Sequence, residues 1–108
     1  MYLRIYWGRI HPGAWPSVEE RYRELAQFPT SGLQARLVSQ DVNDPESMYT
    51  ITLWDNIASV QAWEASPEYR DVFLAAVKPF LVGSHSVSLC EVKVEHLAGL
   101  LAHIPAGG

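Results

Sequence analysis

Two histidines of this sequence could carry acid–base chemistry. His11 follows the first apolar stretch of the chain, His85 begins the last one, and Arg9 precedes His11 by two residues. If those stretches are neighbouring antiparallel strands, both imidazoles lie at the same end of a sheet. Imidazole exchanges protons near neutral pH, so the pair could act as a catalytic base or acid. Two histidines without a third carboxylate ligand favour proton transfer over a metal site, and we expect no metal.

A second set of residues could bind a flat aromatic molecule. Trp54 ends a predicted strand, and Trp63, Tyr69 and Phe73 follow on the apolar sides of two predicted helical segments. Aromatic walls with a few placed polar groups are typical of small-molecule sites. The same helical spacing is also typical of residues that only pack in a core, so the sequence leaves both interpretations open.

Charge and composition exclude several classes of protein. The chain has 108 residues, of which 48 % are apolar, and this predicts one folded domain. Eight Lys and Arg against twelve Asp and Glu give a net charge of −4, and the basic residues are scattered along the chain. Without a basic stripe we expect no nucleic-acid partner. No run of eighteen apolar residues occurs, so we expect no membrane partner.

The single cysteine, Cys90, indicates the compartment. It cannot form a disulfide within the chain, and no Cys or His spacing is typical of zinc or an iron–sulfur cluster. Arg4 and Arg9 lie where a signal peptide would carry its apolar run. These features predict a cytoplasmic protein, in which Cys90 is a buried and unreactive thiol of the last strand.

Hydrophobic periodicity predicts the elements that position these residues. The stretch Tyr2 to His11 is rich in Tyr, Trp, Ile and Leu and is too short for a typical helix, so it predicts a strand. A capping box of Ser17 and Glu20 predicts a helix that stops near Pro29. The later predicted elements are a hairpin of Leu33–Gln40 and Met48–Trp54, a helix capped by Asp55 or Asn56 and restarted at Ser66-Pro67, and a strand over residues 85–95.

The order of these elements, βαββααβ, predicts an α+β fold of the ferredoxin-like, split β-α-β type. Its four-stranded antiparallel sheet has the order 4-1-3-2, with both helical layers on one face. Yet the first strand is apolar on both sides, with Leu3 and Ile5 on one and Tyr6 on the other. An antiparallel sheet that met water would have one polar side. We therefore predict that an identical subunit covers the second face, giving a homodimer.

Two segments carry a family resemblance. Tyr49–Asn56 and Ala62–Tyr69 are similar to the third strand and second helix of the antibiotic biosynthesis monooxygenase family. The resemblance covers roughly residues 2–95 and implies a dimeric α+β barrel. We assign 1–96 to the domain and 97–108 to a C-terminal tail, which ends in Pro-Ala-Gly-Gly and which we expect to be partly disordered.

Members of this family differ in their chemistry. Some oxidise phenols, quinols or anthrones with O₂ and without a cofactor, using a Trp that matches Trp54, an Asn whose position is Thr50 here, and a Tyr whose position is Val60. The resemblance thus implies a cofactor-independent monooxygenase of a small or polycyclic aromatic. Thr50 and the four aromatic residues would bind the substrate, and His11 or His85 would accept the phenol proton.

Two alternatives stay open. Because the Asn and Tyr are replaced, the protein could be a non-catalytic, dimeric ligand-binding or stress-associated barrel. Haem-degrading relatives use a Trp that matches Trp63, an iron-ligating His whose position is Val72, and an Asn of the first strand where Tyr6 or Trp7 stands. Without that imidazole the iron would lose its protein ligand, so haem degradation is the third interpretation.

Overall fold

The computed structural model describes residues 1–97, so the predicted tail from residue 98 onward lies outside the described residues. Within residues 1–97 the strands are β1 (Tyr2–Ile10), β2 (Leu33–Gln40), β3 (Ser47–Trp54) and β4 (Leu81–Glu91), and the α-helices are α1 (Trp15–Leu25), α2 (Ile57–Glu64) and α3 (Leu74–Val77). A π-helical segment, Glu68–Phe73, leads into α3, and a 3₁₀ turn, Lys78–Phe80, follows it.

The strands form one antiparallel sheet in the order β2-β3-β1-β4, which confirms the predicted topology. The central pair, β1 and β3, aligns Ile5 with Ile51 and Tyr6 with Thr50. The two ends of the sheet are therefore β2 and β4. This arrangement is the α+β, ferredoxin-like fold that the element order predicts.

Alternation along β1 and β3 separates the two faces of the sheet. Even-numbered positions such as Tyr6, Ile10, Met48 and Trp54 are fully buried. They form one core with apolar residues of every helical segment, namely Val18, Tyr22, Leu25, Val60, Trp63, Phe73 and Val77. Since all these strand positions point the same way, the helices cover one face, as predicted.

The odd-numbered positions form a second apolar face, which we call the open face. It carries Leu3, Ile5 and Trp7 of β1 with Ile51 and Leu53 of β3, all of them only half-buried. Within residues 1–97 none of these side chains packs against the helix-side core. The first strand is therefore apolar on both sides, as predicted. The described part of the chain does not cover the open face.

Helix α1 begins differently from the prediction. Its first residue is Trp15, with Ala14 as N-cap and no side-chain cap, so the predicted capping box of Ser17 and Glu20 is wrong. Pro16 lies in the first turn, where its fixed φ suits a helix and its missing N–H costs nothing. The helix can therefore start before Ser17, and it ends at Leu25.

The predicted signals around α2 are confirmed. The backbone N–H of Ser59 donates to Asn56 Oδ1 at 2.8 Å, so Asn56 caps the helix. After the helix ends, Ser66 Oγ donates to the carbonyl of Trp63 and accepts the N–H of Tyr69 at 3.1 Å. The chain then re-enters a wider helical turn, which is the restart predicted from Ser66-Pro67.

Strand β4 begins at Leu81, four residues before the predicted start, and ends at Glu91. Leu81 and Val82 pair with the end of β1, and a bulge then precedes Ser86. Gly83 adopts φ 73° in this bulge, a conformation that favours glycine. The sequence 81–84 contains no alternation that would have predicted pairing.

Cys90 is exposed, so the prediction of a buried thiol is wrong. It pairs with Leu3 and therefore lies on the open face of the edge strand β4. An edge strand with one uncovered face leaves such a side chain accessible. No helix within residues 1–97 is long and apolar enough to cross a membrane.

Candidate functional site

The structure brings the four predicted aromatic residues together on the helix side of the sheet. The Trp63 ring lies 6.4 Å from the Trp54 ring, 5.5 Å from Tyr69 and 6.1 Å from Phe73, between centroids. Tyr69 and Phe73 stack at 5.6 Å with an interplanar angle of 11°. These spacings are those of aromatic pairs in direct contact. The rings therefore pack on one another and form one layer, which we call the aromatic wall.

Thr50, the fifth predicted substrate-binding residue, is buried beneath this wall. Its Oγ1 shares a hydrogen bond of 2.6 Å with the hydroxyl of Tyr22 on α1. Burial raises the pKa of Tyr22 well above its ordinary value, so this hydroxyl stays neutral. The indole of Trp54 likewise donates to Thr52 Oγ1 at 2.8 Å. The polar atoms of this layer thus satisfy one another.

Arg4 belongs to the same layer and was not predicted. Its Nη2 donates to the hydroxyl of Tyr69 at 2.9 Å and its Nε to Glu64 at 3.2 Å, although Arg4 is only 2 % exposed. Its guanidinium also lies 5.1 Å from the centre of the Tyr69 ring. The sequence carried one signal for it. Arg4 lies two residues before the buried Tyr6 in the first strand, so strand alternation places both side chains on the same face.

Tyr6 connects the aromatic wall to a histidine. Its ring meets Phe73 edge-on at 5.7 Å, and His85 stacks on it at 5.0 Å with an interplanar angle of 26°. Its hydroxyl is buried and has no hydrogen-bond partner among the described residues. Burial is the main reason that the pKa of Tyr6 rises to about 12.

His85 lines a cleft between the α3 region and β4, which we call the His85 cleft. Its volume is about 700 Å³, and its lining residues are Arg70, Leu74, Ala75, Lys78, Leu81, Gly83, Ser84 and His85. This lining contains two cationic side chains, those of Arg70 and Lys78, and the apolar side chains of Leu74 and Leu81. The bulge in β4 directs the imidazole toward this cleft, and bulges often re-aim side chains beside active sites.

His11 lies elsewhere. Its backbone N–H donates to the carbonyl of Phe80 at 2.9 Å, whereas His85 lies in the bulge opposite Gly8. Three residues of strand separate Gly8 from His11, roughly 10 Å. The structure therefore does not bring the two histidines together as the pair that the sequence suggested, because the pairing of β4 starts before residue 85.

The position of the haem ligand in haem-degrading relatives is occupied by Val72. This residue is half-buried and packs against the core. In β1, Tyr6 stands at a position where the haem-degrading relatives would have an Asn, and its side chain is buried in the same core.

Comparisons with known proteins agree with this fold. A protein of Deinococcus radiodurans named for the antibiotic biosynthesis monooxygenase family is 18 % identical, with a TM-score of 0.74 over 89 % of this chain and 96 % of its own. Family namesakes from Chloroflexus aurantiacus and Caulobacter crescentus are 22 % and 12 % identical, with TM-scores of 0.64 and 0.75. Each covers 87 % of this chain, and the match spans 96 % and 90 % of their own lengths. At these identities the likeness concerns the fold alone.

The sequence itself carries the stronger finding. A search of the curated proteins finds no match to it. The family model described as "Antibiotic biosynthesis monooxygenase", however, matches residues 1–74, which is more than half of the chain and includes β1, β3, α2 and all four residues of the aromatic wall. The chain therefore belongs to the antibiotic biosynthesis monooxygenase family.

Proposed function

We propose that this protein is a cofactor-independent monooxygenase that oxidises a small phenolic aromatic with O₂. Family membership supports oxygenation, and the observation that carries the substrate class is the His85 cleft. There an imidazole, two cationic side chains and apolar walls surround one space of about 700 Å³. A phenol needs these three things: a base for its proton, positive charge for its oxyanion and an apolar site for its ring.

In the proposed reaction His85 accepts the phenol proton, and Arg70 and Lys78 stabilise the phenolate. The electron-rich phenolate then reduces O₂ and forms a C–O bond at its unsubstituted para carbon. Loss of water gives the para-quinone, so one oxygen atom enters the product and the other leaves as water. The ring supplies two of the four electrons by losing hydrogen and two by forming the new C–O bond, and no external reductant is needed.

The aromatic wall has a positioning role in this proposal. Phe73 contacts Tyr6, and Tyr6 in turn stacks on His85, so the wall fixes the plane of the imidazole. Trp63 and Tyr69 pack against Phe73, and Trp54 packs against Trp63. Thr50 connects α1 to the sheet through its hydrogen bond with Tyr22. A base that is held rigidly costs less to orient at the moment of proton transfer.

The working form in this proposal is a cytoplasmic homodimer. The open face presents Leu3, Ile5, Trp7, Ile51 and Leu53 as a continuous apolar surface, and a second copy offers the same surface. A single cysteine that faces outward favours a reducing compartment.

An oxygen electrode tests the reaction. Purified protein and a panel of phenols, hydroquinones and anthrones should consume O₂ without added flavin, haem or metal, and His85→Gln should lower the rate at least about tenfold. His11→Gln decides between the two histidines, and we expect it to keep its rate because His11 lies outside the cleft. His96→Gln is the matched control, because His96 is an exposed histidine beyond the end of β4 and does not line the cleft. Background uptake across the panel would contradict the proposal.

One observation favours the second candidate, a non-catalytic ligand-binding barrel. The predicted substrate-binding aromatics pack against one another, and the hydroxyl of Thr50 is already bonded to Tyr22. Saturable binding of a phenol in the His85 cleft with no O₂ uptake would support this candidate.

A further inference from the structure

A second cavity lies at the other edge of the sheet, between α1 and β2. It measures about 240 Å³ and is lined by Glu19, Tyr22, Arg23, Ala26, Arg36 and Val38. Since β2 and β4 are the two edge strands, this cavity and the His85 cleft are separated by the width of the sheet. They share no lining residue.

Arg36 is the distinctive residue of this cavity. Its guanidinium lies 5.5 Å from the centre of the Trp63 ring, and it has no hydrogen bond or ion pair with any of residues 1–97. The four arginines of β1 and α1, in contrast, each contact a carboxylate: Arg4, Arg9, Arg21 and Arg23. A half-buried cation without a counter-ion is costly, because it has lost part of its hydration.

The neighbours of Arg36 cannot supply the missing negative charge. Glu19 is engaged with Arg23 at 3.6 Å, and both of these side chains are largely exposed at the rim of the cavity. Tyr22 stays neutral because burial raises its pKa, and its hydroxyl is bonded to Thr50. Burial lowers the pKa of Arg36 itself; Tyr22 opposes this shift, and the nearby Arg4 adds to it. The absence of a carboxylate partner among residues 1–97 is therefore what leaves this cation without a counter-ion.

The walls and size of the cavity define the rest of the ligand. The Tyr22 ring, Ala26 and Val38 offer apolar contacts. A volume of about 240 Å³ is below the roughly 300–1,000 Å³ that drug-sized ligands occupy, so one ring fits. A single unpaired guanidinium balances the charge of a planar, monovalent carboxylate, whereas a doubly charged phosphate would keep one negative charge uncompensated.

We propose that this cavity binds a monocyclic aromatic carboxylate, with its carboxylate on the guanidinium of Arg36 and its ring between Tyr22, Ala26 and Val38. This site is separate from the His85 cleft and does not depend on oxygenase activity. Its ligand is thus a second small molecule, bound at the opposite edge of the same sheet.

Calorimetric titration of the full chain with benzoate tests the site. We expect one benzoate per chain, and benzamide, which has the same shape without the charge, should bind at least about tenfold more weakly. Arg36→Gln should weaken benzoate binding by a similar factor. Arg21→Gln removes one positive charge from α1 outside this cavity, and Arg70→Gln removes one from the His85 cleft. Both should change the affinity less than about twofold.

Three results would overturn the proposal. Benzoate and benzamide could bind equally, or the affinity for benzoate could be unchanged in Arg36→Gln, or that affinity could fall in Arg70→Gln but not in Arg36→Gln. The last result would assign the anion to the His85 cleft. If Arg36→Gln does not fold, the proposal is tested by the unfolding temperature of the natural protein with each ligand. Benzoate must then raise that temperature more than benzamide does at the same concentration.

Discussion

Two buried tyrosines, Tyr6 and Tyr22, have hydroxyls in opposite hydrogen-bonding states. The hydroxyl of Tyr22 bonds to Thr50 at 2.6 Å, whereas that of Tyr6 has no partner among the described residues. Removing a bonded hydroxyl leaves Thr50 unsatisfied, which costs about 1–3 kcal/mol, but removing an unpaired one relieves a desolvation penalty. We therefore expect Tyr22→Phe to lower the free energy of unfolding by about 1–3 kcal/mol and Tyr6→Phe to leave it unchanged or raise it.

Urea unfolding of the two Phe variants and the natural protein measures this difference. Each variant removes one oxygen from a ring in the same core, so each is the control for the other. A Tyr6→Phe variant that loses as much stability as Tyr22→Phe would mean that the hydroxyl of Tyr6 has a partner, and the account of this core would be wrong.

At the scale of single residues, the sequence predicts which apolar side chains cluster better than it predicts which polar side chains pair. The cluster of Trp54, Trp63, Tyr69 and Phe73 follows from helical spacing and strand alternation, which are local properties. The burial of Arg4 depends on Glu64 and on the hydroxyl of Tyr69, which lie 60 and 65 residues away. Strand alternation places Arg4 on the buried face, but no local pattern shows which residues pair with it, so its partners were found only in the folded chain.

At the scale of elements, a carboxylate fastens the turn between β2 and β3 to the central strand. Arg9 donates to both carboxylate oxygens of Asp44, and Ser47 Oγ donates to Asp44 Oδ2 at 2.9 Å. The hydrogen bond from Arg9, followed by that from Ser47, holds the pKa of Asp44 below its ordinary value. A carboxylate with a lowered pKa stabilises the fold above its unfolded pKa of about 3.9 and loses this effect as the pH falls through its folded pKa.

We therefore expect Asp44→Asn to unfold about 1–5 °C below the natural protein at pH 7, a small shift because both partners are partly exposed. The difference should narrow as the pH falls below about 4. Thermal unfolding followed by circular dichroism across this range measures it, with Asp71→Asn as the control, since Asp71 has no ion pair within residues 1–97. A difference that is absent at pH 7, or that does not change with pH, would count against this role of Asp44.

The boundaries of elements were predictable where capping or turn residues lie at the boundary itself. Strand β2 matches its predicted bounds, the restart lies at Ser66-Pro67 as predicted, and the cap is Asn56, one of the two predicted candidates. The start of β4 was not predictable, because pairing of Leu81 and Val82 with the end of β1 requires a bulge. That bulge also decides which of the two histidines faces a cleft, so the error in the element became an error in the predicted histidine pair.

At the scale of the whole molecule, the open face predicts association. Multi-angle light scattering at micromolar concentration should give twice the chain mass of 12.1 kDa. Ile51→Lys places a charge in the centre of the open face and should give the single-chain mass while the circular dichroism spectrum stays the same. Val42→Lys is the control, since Val42 is 91 % exposed in the β2–β3 turn. A natural protein of single-chain mass would leave the apolar open face unexplained.

The central claim is that the chain itself, without a cofactor, transfers one oxygen atom from O₂ to a phenol in the His85 cleft. Reaction of the purified protein under ¹⁸O₂, after treatment with a chelator and with mass spectrometry of the quinone, tests it most directly. We predict one ¹⁸O atom per quinone, with label also in water, and loss of the labelled product in His85→Gln. An unlabelled product, a reaction that requires added flavin, haem or metal, or full activity of His85→Gln would contradict the claim.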